Sequence, residues 1–425
     1  MGPDRRRSAD DVRGRAARGG RLGGLLAAGP GTARVEVRGA SAPIRGRADV
    51  GVGERVGLHE PNSPALVDRV VGVLEAGGVP VLAHPRWPAA VARAALRRAG
   101  AGATWRGHPI ATLLFTSGST AAPKVVAHSM AAHLAAAAAS GDRVPYGSEH
   151  RWLLSLPLCH VGGLSLLFRT VVAGATLVLP EPNERLCEAV TRTRPSHLSL
   201  VATQLRDLLA DPEACEALAA CDEVLLGGGP APEALLQRSR ALGVRLRRTY
   251  GMTEMASQIA TEDEGRVLPL RGVECRTDEV GQLWVRGPSL FEGYVEDDEV
   301  TRPFEDGWFA TGDLGQLSDA RGLEIHGRRD NQFVSGGENV RPEAVEAALA
   351  ERGVAAIVVP ICDARYGARP VAFTEDGVAR DDVAARALPD FARPVAWLQL
   401  PTTDGLKPRR HELTELAAAR LANRR

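Results

Sequence analysis

Thr116-Ser117-Gly118-Ser119-Thr120-Ala121-Ala122-Pro123-Lys124 follows the apolar run Ala111 to Phe115, and this junction decides how the chain is read. An apolar strand that opens into small and hydroxyl-bearing residues can wrap a polyphosphate with backbone N–H groups and hydroxyls, while Lys124 adds a mobile cation. The loop is not a Walker A. Gly118 lies six residues before Lys124, as that motif requires, but Pro123 stands in place of its second glycine and Val125 in place of its Ser/Thr. Of the 52 lysines and arginines only Lys124 and Lys407 are lysine. A bias that erases lysine wherever arginine serves equally well leaves it where a compact ammonium on a flexible stem is needed. Lys407 closes Thr403-Asp404-Gly405-Leu406-Lys407, so two phosphate-directed lysines on separate domains are expected.

At 425 residues the chain exceeds one hydrophobic core, and from Val56 onward apolar strands alternate with helical stretches. Helices are expected at Leu66 to Ala76, Ala89 to Arg98 and His128 to Ser140, and strands at Val79 to Ala83, Trp152 to Leu156, Thr176 to Leu179, Leu198 to Val201 and Glu223 to Leu226. This is the pattern of an α/β fold with parallel strands. After Glu274 the short strands Gly281 to Arg286, Gly307 to Ala310 and Gly322 to Ile325 indicate a small β-unit. A helix at Pro342 to Arg352, a strand at Ala355 to Val359 and a helix near Glu412 to Leu421 form a small α+β unit at the C-terminus. The charged run Gly327 to Asn331 suits a hinge, which sets domains at 1–328 and 329–425. Residues 1 to about 50 have weak periodicity and are expected to be partly irregular.

A net charge of +0 provides no field for nucleic acid or an anionic membrane surface, and no apolar run approaches the ~18 residues of a membrane span. A cytoplasmic enzyme is expected, with a homo-oligomer left open. The cysteines at 159, 187, 215, 221, 275 and 362 show no metal-ligand spacing. Cys159 beside His160 suggests a thiol nucleophile, but adjacent residues on a strand face opposite ways.

Further motifs follow in order. In Tyr250-Gly251-Met252-Thr253-Glu254 a ring can stack on a base, while a hydroxyl and a carboxylate can hold Mg²⁺ between phosphates. Thr311-Gly312-Asp313 is read as a tight turn whose carboxylate suits ribose hydroxyls. Ser335-Gly336-Gly337-Glu338-Asn339 and Gly227-Gly228-Gly229-Pro230 bring bare backbone near a ligand. The second of these fails the dinucleotide fingerprint, because Pro232 takes the place of the third glycine.

This ordered set resembles the adenylate-forming superfamily of acyl-CoA synthetases, adenylation domains and luciferases, from Arg55-Val56-Gly57-Leu58 to Lys407. The resemblance implies a large N-terminal domain of layered α/β subdomains and a small mobile C-terminal one. It implies ATP, Mg²⁺, a small-molecule carboxylic acid and a thiol, usually that of CoA. By motif, Thr116, Ser117, Gly118, Ser119, Thr120 and Lys124 would hold the β- and γ-phosphates, and Tyr250 and Gly251 would lie at the adenine. Thr253 and Glu254 would manage Mg²⁺ and the α-phosphate, Asp313 and Arg328 the ribose, and Lys407 would bridge carboxylate and α-phosphate. Asp330 would be the hinge, with Gly336 and Gly337 moving toward the thiol channel.

Within the superfamily, Trp152 to His160, Ser199 to Leu205, Met252 to Gln258 and Asp330 to Glu338 are most similar to the o-succinylbenzoate–CoA ligases of menaquinone biosynthesis. A second carboxylate on the acid calls for polar groups in an apolar pocket, and His160, Thr203, Gly228 and Ser257 are the candidates. Ala121 and Leu406 depart from the superfamily's usual glycines without removing a charged group. Another aryl or fatty acid, a carrier-protein thiol, or a nucleotide-binding protein without catalysis are the alternatives.

Overall fold

The computed structural model describes residues 33–37, 40–43, 49–105, 109–116, 123–296, 298–375, 388–401 and 410–422. Within them three sheets form, and helices cover the parallel parts. The longest sheet is built on His197–Leu200, which pairs in parallel with Glu223–Leu226 and with Arg151–Leu153; Glu223–Leu226 pairs in turn with the start of Leu246–Met252. Every position of His197–Leu200 is buried, as in strands covered on both faces. Helices Ala202–Ala210, Pro212–Ala219 and Glu233–Ala241 provide part of that cover, with Leu205, Leu218 and Leu236 packing in one cluster with Leu198 and Val224.

In the six-stranded sheet, Arg55–Leu58, Val79–Leu82 and Ile110–Phe115 run parallel, with helices Pro64–Glu75 and Ala89–Arg98 between them in sequence. Pro64 opens the first helix and Ser63 caps it, its Oγ accepting the Leu66 N–H at 3.1 Å. The chain then reverses. Val125–Ser129 lies antiparallel to Ile110–Phe115, and Gly293–Glu296 lies antiparallel to Val125–Ser129. His128 and Ser129 stay in that ladder opposite Thr112 and Ile110, so the alanine-rich helix begins at Met130 rather than His128.

Glu274–Thr277, Gln282–Arg286, Trp308–Ser318 and Gly322–Arg328 form the expected β-unit, which joins Arg266–Pro269 through the pair Val267 and Gly322. Thr311-Gly312-Asp313 is not a tight turn. It lies inside Trp308–Ser318, whose ladder continues past it with a register shift between Leu314 and Gly315. Part of the first fifty residues is regular as well: Arg34–Val37 pairs in parallel with Thr176–Val178, and Glu36 accepts from Arg151 Nε at 3.0 Å.

The third sheet contains Phe333–Ser335, Glu338–Val340, Ile357–Asp363, Gly367–Thr374 and Trp397–Gln399. Helices Pro342–Ala350 and Arg410–Ala422 bury Leu349 and Leu413 in the clusters of this sheet. No helix among the described residues is long and apolar enough to cross a membrane. Leu113 is fully buried between Val81 and Ala127. Leu113→Ala is expected to lower the unfolding free energy by about 2–5 kcal/mol in denaturant titration, whereas Val91→Ala, at a half-exposed helix position, should stay within about 0.5 kcal/mol.

Candidate active site

Where the two larger sheets meet, Lys124 stands just ahead of the strand Val125–Ser129, and the six-stranded sheet reaches across to Glu254 through Tyr294. The Thr116 N–H donates to the Lys124 carbonyl at 3.0 Å, closing the connection between the two strands. Ser117, Gly118, Ser119 and Thr120 lie outside the described residues, as does Lys407. The Lys124 ammonium stands 4.6 Å from the centroid of the Tyr294 ring, a cation–π contact. Tyr294 is on the strand beside it, paired with Val126, and its hydroxyl donates to Glu254 Oε1 at 2.8 Å. Glu254 belongs to the 3₁₀ turn Thr253–Met255 and is buried. Burial pushes the His128 imidazole down to about 4, so the neutral ring donates its Nε2–H to the Thr253 carbonyl at 2.7 Å. Sequence reading missed Tyr294 and His128, since neither stands in a motif that marks it.

A second group forms around Asp313. The Tyr250 hydroxyl donates to Asp313 Oδ2 at 2.5 Å, and Arg328 Nη1 donates to Oδ1 at 3.3 Å and to the Thr311 carbonyl at 2.9 Å. Asp313 and Arg328 are register partners on antiparallel strands, which fixes this approach. Gly312 is at φ 74°, and a Cβ there would come within 2.8 Å of Arg328 Nη2. Burial raises the Asp313 carboxyl above its ordinary value, while Tyr250 and Arg328 pull it back. Tyr250 itself is pushed well above the usual phenol range by burial and by the Asp313 charge. A Cβ on Gly251 would collide with the Ser257 carbonyl oxygen. Arg328 Nη2 donates to exposed Asp330 at 3.2 Å, and Asn331 Nδ2 donates to Glu343 Oε1 at 2.5 Å on helix Pro342–Ala350. Gly336 and Gly337, at φ 62° and 89°, turn the hairpin of the third sheet, and the Gly336 N–H donates to the Tyr366 carbonyl at 2.9 Å.

Thr203 and Gly228 are exposed just past the carboxyl ends of the adjacent parallel strands His197–Leu200 and Glu223–Leu226, the edge at which open α/β sheets bind ligands. His160 is exposed just ahead of helix Val161–Ala173. Ser257 has φ 117° and follows Ala256 at φ 49°, two successive non-glycine residues in a strained region. Against Ser257 lies Arg169, buried on that same helix. Its Nη2 donates to Gln258 Oε1 at 2.6 Å and lies 3.4 Å from Ser257 Oγ, its Nε has no hydrogen-bond partner, and no carboxylate among the described residues pairs with it. Burial lowers its guanidinium to about 10. Sequence reading missed Arg169 too: in a chain this rich in arginine, an arginine within an apolar helix gives no distinguishing signal.

A model of the AMP-binding enzyme family matches residues 103–295. The 2-succinylbenzoate--CoA ligase of Escherichia coli strain K12 is 37% identical over 330 residues, covering 74% of this chain and 70% of that protein. The chain belongs to the AMP-binding enzyme family. Two structures of o-succinylbenzoate CoA synthetase from Bacillus subtilis share the fold of this AMP-binding enzyme. The one in complex with the acyl-adenylate intermediate OSB-AMP has a TM-score of 0.77 at 25% identity, covering 92% of this chain and 97% of the other. The one with ATP and magnesium ion has a TM-score of 0.76 at 25% identity, covering 92% and 98%.

A carboxyl raised by burial carries a sign. Between the ordinary aspartate range near pH 4 and its own higher value, the folded AMP-binding enzyme holds a proton at Asp313 that the unfolded chain has released. That contribution to stability therefore falls as pH rises through the window. Asp313→Asn removes it, so the variant is expected to gain stability relative to wild type as pH is raised from 4 to 7, read from urea unfolding at each pH. A variant that instead loses ground steadily over that range would contradict this account of the carboxyl.

Proposed function

We propose that this AMP-binding enzyme is an ATP- and Mg²⁺-dependent acid–thiol ligase that converts o-succinylbenzoate to its CoA thioester, a cytoplasmic step of menaquinone synthesis. The observation that carries the choice of acid is Arg169, a buried guanidinium with no carboxylate partner among the described residues, set against the strained Ser257. An acid whose single carboxylate is consumed in the reaction offers nothing to such a group. An acid with a second carboxylate supplies the missing anion, and the desolvated pair then becomes favourable. The relatives named as 2-succinylbenzoate--CoA ligases support the same reading.

In the first half-reaction a carboxylate oxygen attacks the α-phosphorus of ATP, the bond to the bridging oxygen breaks, and pyrophosphate leaves. In the second, the CoA sulfur attacks the acyl carbon, the bond to the phosphate oxygen breaks, AMP leaves, and the thiol proton passes to water. Lys124 and the loop Thr116 to Thr120 hold the outer phosphates. Tyr250 and Gly251 lie along the base, and Asp313 with Arg328 takes the ribose hydroxyls. Glu254 suits Mg²⁺, because Tyr294 occupies Oε1 and a carboxylate has a second oxygen for a hard cation. Mg²⁺ bound there would neutralise phosphate charge. Lys407 bridges the carboxylate and the α-phosphate, so the work is positioning and charge stabilisation. His160, Thr203, Gly228 and Ser257 line the acid. Residues 329–425 then rotate about Asp330, which withdraws Lys407 and brings Gly336 and Gly337 to the thiol.

The test is pyrophosphate release with ATP, Mg²⁺ and a panel of o-succinylbenzoate, benzoate, medium-chain acids and amino acids, with and without CoA. Release with o-succinylbenzoate and formation of its CoA thioester are expected. Release with another acid alone would overturn the substrate and keep the chemistry. Lys407→Ala should slow acyl-AMP formation by about 100-fold or more at saturating ATP. An unchanged rate would remove Lys407 from the mechanism.

A further inference from the structure

Away from the nucleotide motifs, His84, Cys159 and His160 converge, and their ligand atoms all lie within 4.8 Å of one another. The convergence is built by the backbone. His59 and His84 follow the paired parallel strands Arg55–Leu58 and Val79–Leu82, whose ends are held by the Ala83 N–H to the Leu58 carbonyl at 2.9 Å. Asn62, three residues after His59, clamps the turn that carries the other two: its Nδ2 donates to the Leu156 carbonyl and its Oδ1 accepts the Leu158 N–H, each at 2.9 Å. Cys159 and His160 are in that turn and not on a strand, with the His160 N–H donating to the Pro157 carbonyl at 3.0 Å. The alternation that would separate adjacent side chains therefore does not operate here. The His84 and His160 rings are 5.2 Å apart, and His59 Nε2 is buried without a hydrogen-bond partner.

We propose that His84, Cys159 and His160 form a binding site for a divalent transition metal of the zinc class, with a water as fourth ligand. One thiolate and two imidazoles are a donor set that Zn²⁺ and Co²⁺ favour over Mg²⁺ or Ca²⁺. The Cys159 thiol would give up its proton to solvent as the metal–sulfur bond forms. Tetrahedral bonds of about 2.0–2.3 Å place ligand atoms about 3.3–3.8 Å apart, so side-chain rotation of roughly 1 Å closes the set. His84 Nδ1 accepts the Arg86 N–H at 3.1 Å, and ligation through Nε2 gives up that bond, which sets a weaker affinity than that of a preformed structural site. His160 is exposed, which provides an entry path. Because His160 is also assigned to the acid, an occupied site would compete with substrate; this consequence rests on the proposed function, while the site itself does not.

The test is titration of the full chain with Co²⁺ alone, followed by absorption. The expected result is a thiolate-to-cobalt charge-transfer band with intense tetrahedral d–d bands, displaced by Zn²⁺. The band should be lost in Cys159→Ser and retained in Cys362→Ser, which removes the exposed thiol, and His84→Ala should bind at least about tenfold more weakly. Weak octahedral cobalt bands in the wild type, or a charge-transfer band that survives Cys159→Ser, would overturn the site whatever the ligase assay gives. If the site forms, Zn²⁺ should raise the KM for the acid in wild type and not in Cys159→Ser. An equal effect on both would remove the competition and leave the site.

Discussion

Adjacent strands of the six-stranded sheet hold the turn Thr253–Met255 of the neighbouring sheet from two sides, and the candidate site depends on that seam. His128 takes the Thr253 carbonyl and Tyr294 takes the Glu254 carboxylate, while the Phe291 N–H donates to the Glu254 carbonyl at 2.8 Å. Val126, Met255, Ile259 and Phe291 share one apolar cluster beneath these bonds. The same Tyr294 ring carries Lys124. The Lys124 ammonium and the Glu254 carboxylate, proposed to meet phosphate and Mg²⁺, are thus placed relative to each other by one side chain that contacts both. A one-residue slip of Gly293–Glu296 against Val125–Ser129 would turn Tyr294 away and separate them.

Charge is distributed in this site to favour a ligand over water. The Asp313 carboxyl is raised and the Arg169 guanidinium lowered, both because burial removes solvent that nothing in the free protein fully replaces. Each is an electrostatic cost that a bound polar group can offset, under the proposed function ribose hydroxyls at one end and an anion at the other. Such perturbed groups in a cleft are where function is expected. Strain points the same way, since Ala256 and Ser257 hold positive φ between Glu254 and Gln258, where phosphate and acid chemistry would meet.

Much of the architecture was legible because periodicity and turn chemistry are local. The strand running into the loop at Thr116, the helix after Ser63 and the change of character after Glu274 all follow from neighbouring residues. The failures were also local in cause. Glycine in Thr311-Gly312-Asp313 reads as a turn, yet here it makes room for Arg328 from the partner strand inside a continuous ladder. Segments around Tyr250, Asp313 and Arg328 were marked by motif, and the structure brings them into one hydrogen-bonded group. Tyr294, His128 and Arg169 were invisible because their partners lie 40, 125 and 88 or 89 residues away, and only the packing of sheets and helices brings those partners into reach. The cluster of His84 with Cys159 and His160 was hidden for the same reason.

The central claim is an adenylate site with an anion-reading acid pocket beside it. Its most direct measurement is calorimetric titration of the protein with two non-reactive acyl-sulfamate adenosines, one bearing the o-succinylbenzoyl group and the other benzoyl. The account predicts that both bind and that the first binds more tightly by at least about tenfold, or ~1.4 kcal/mol, because Arg169 gains its missing anion. Equal affinities, or no binding of either, would contradict it.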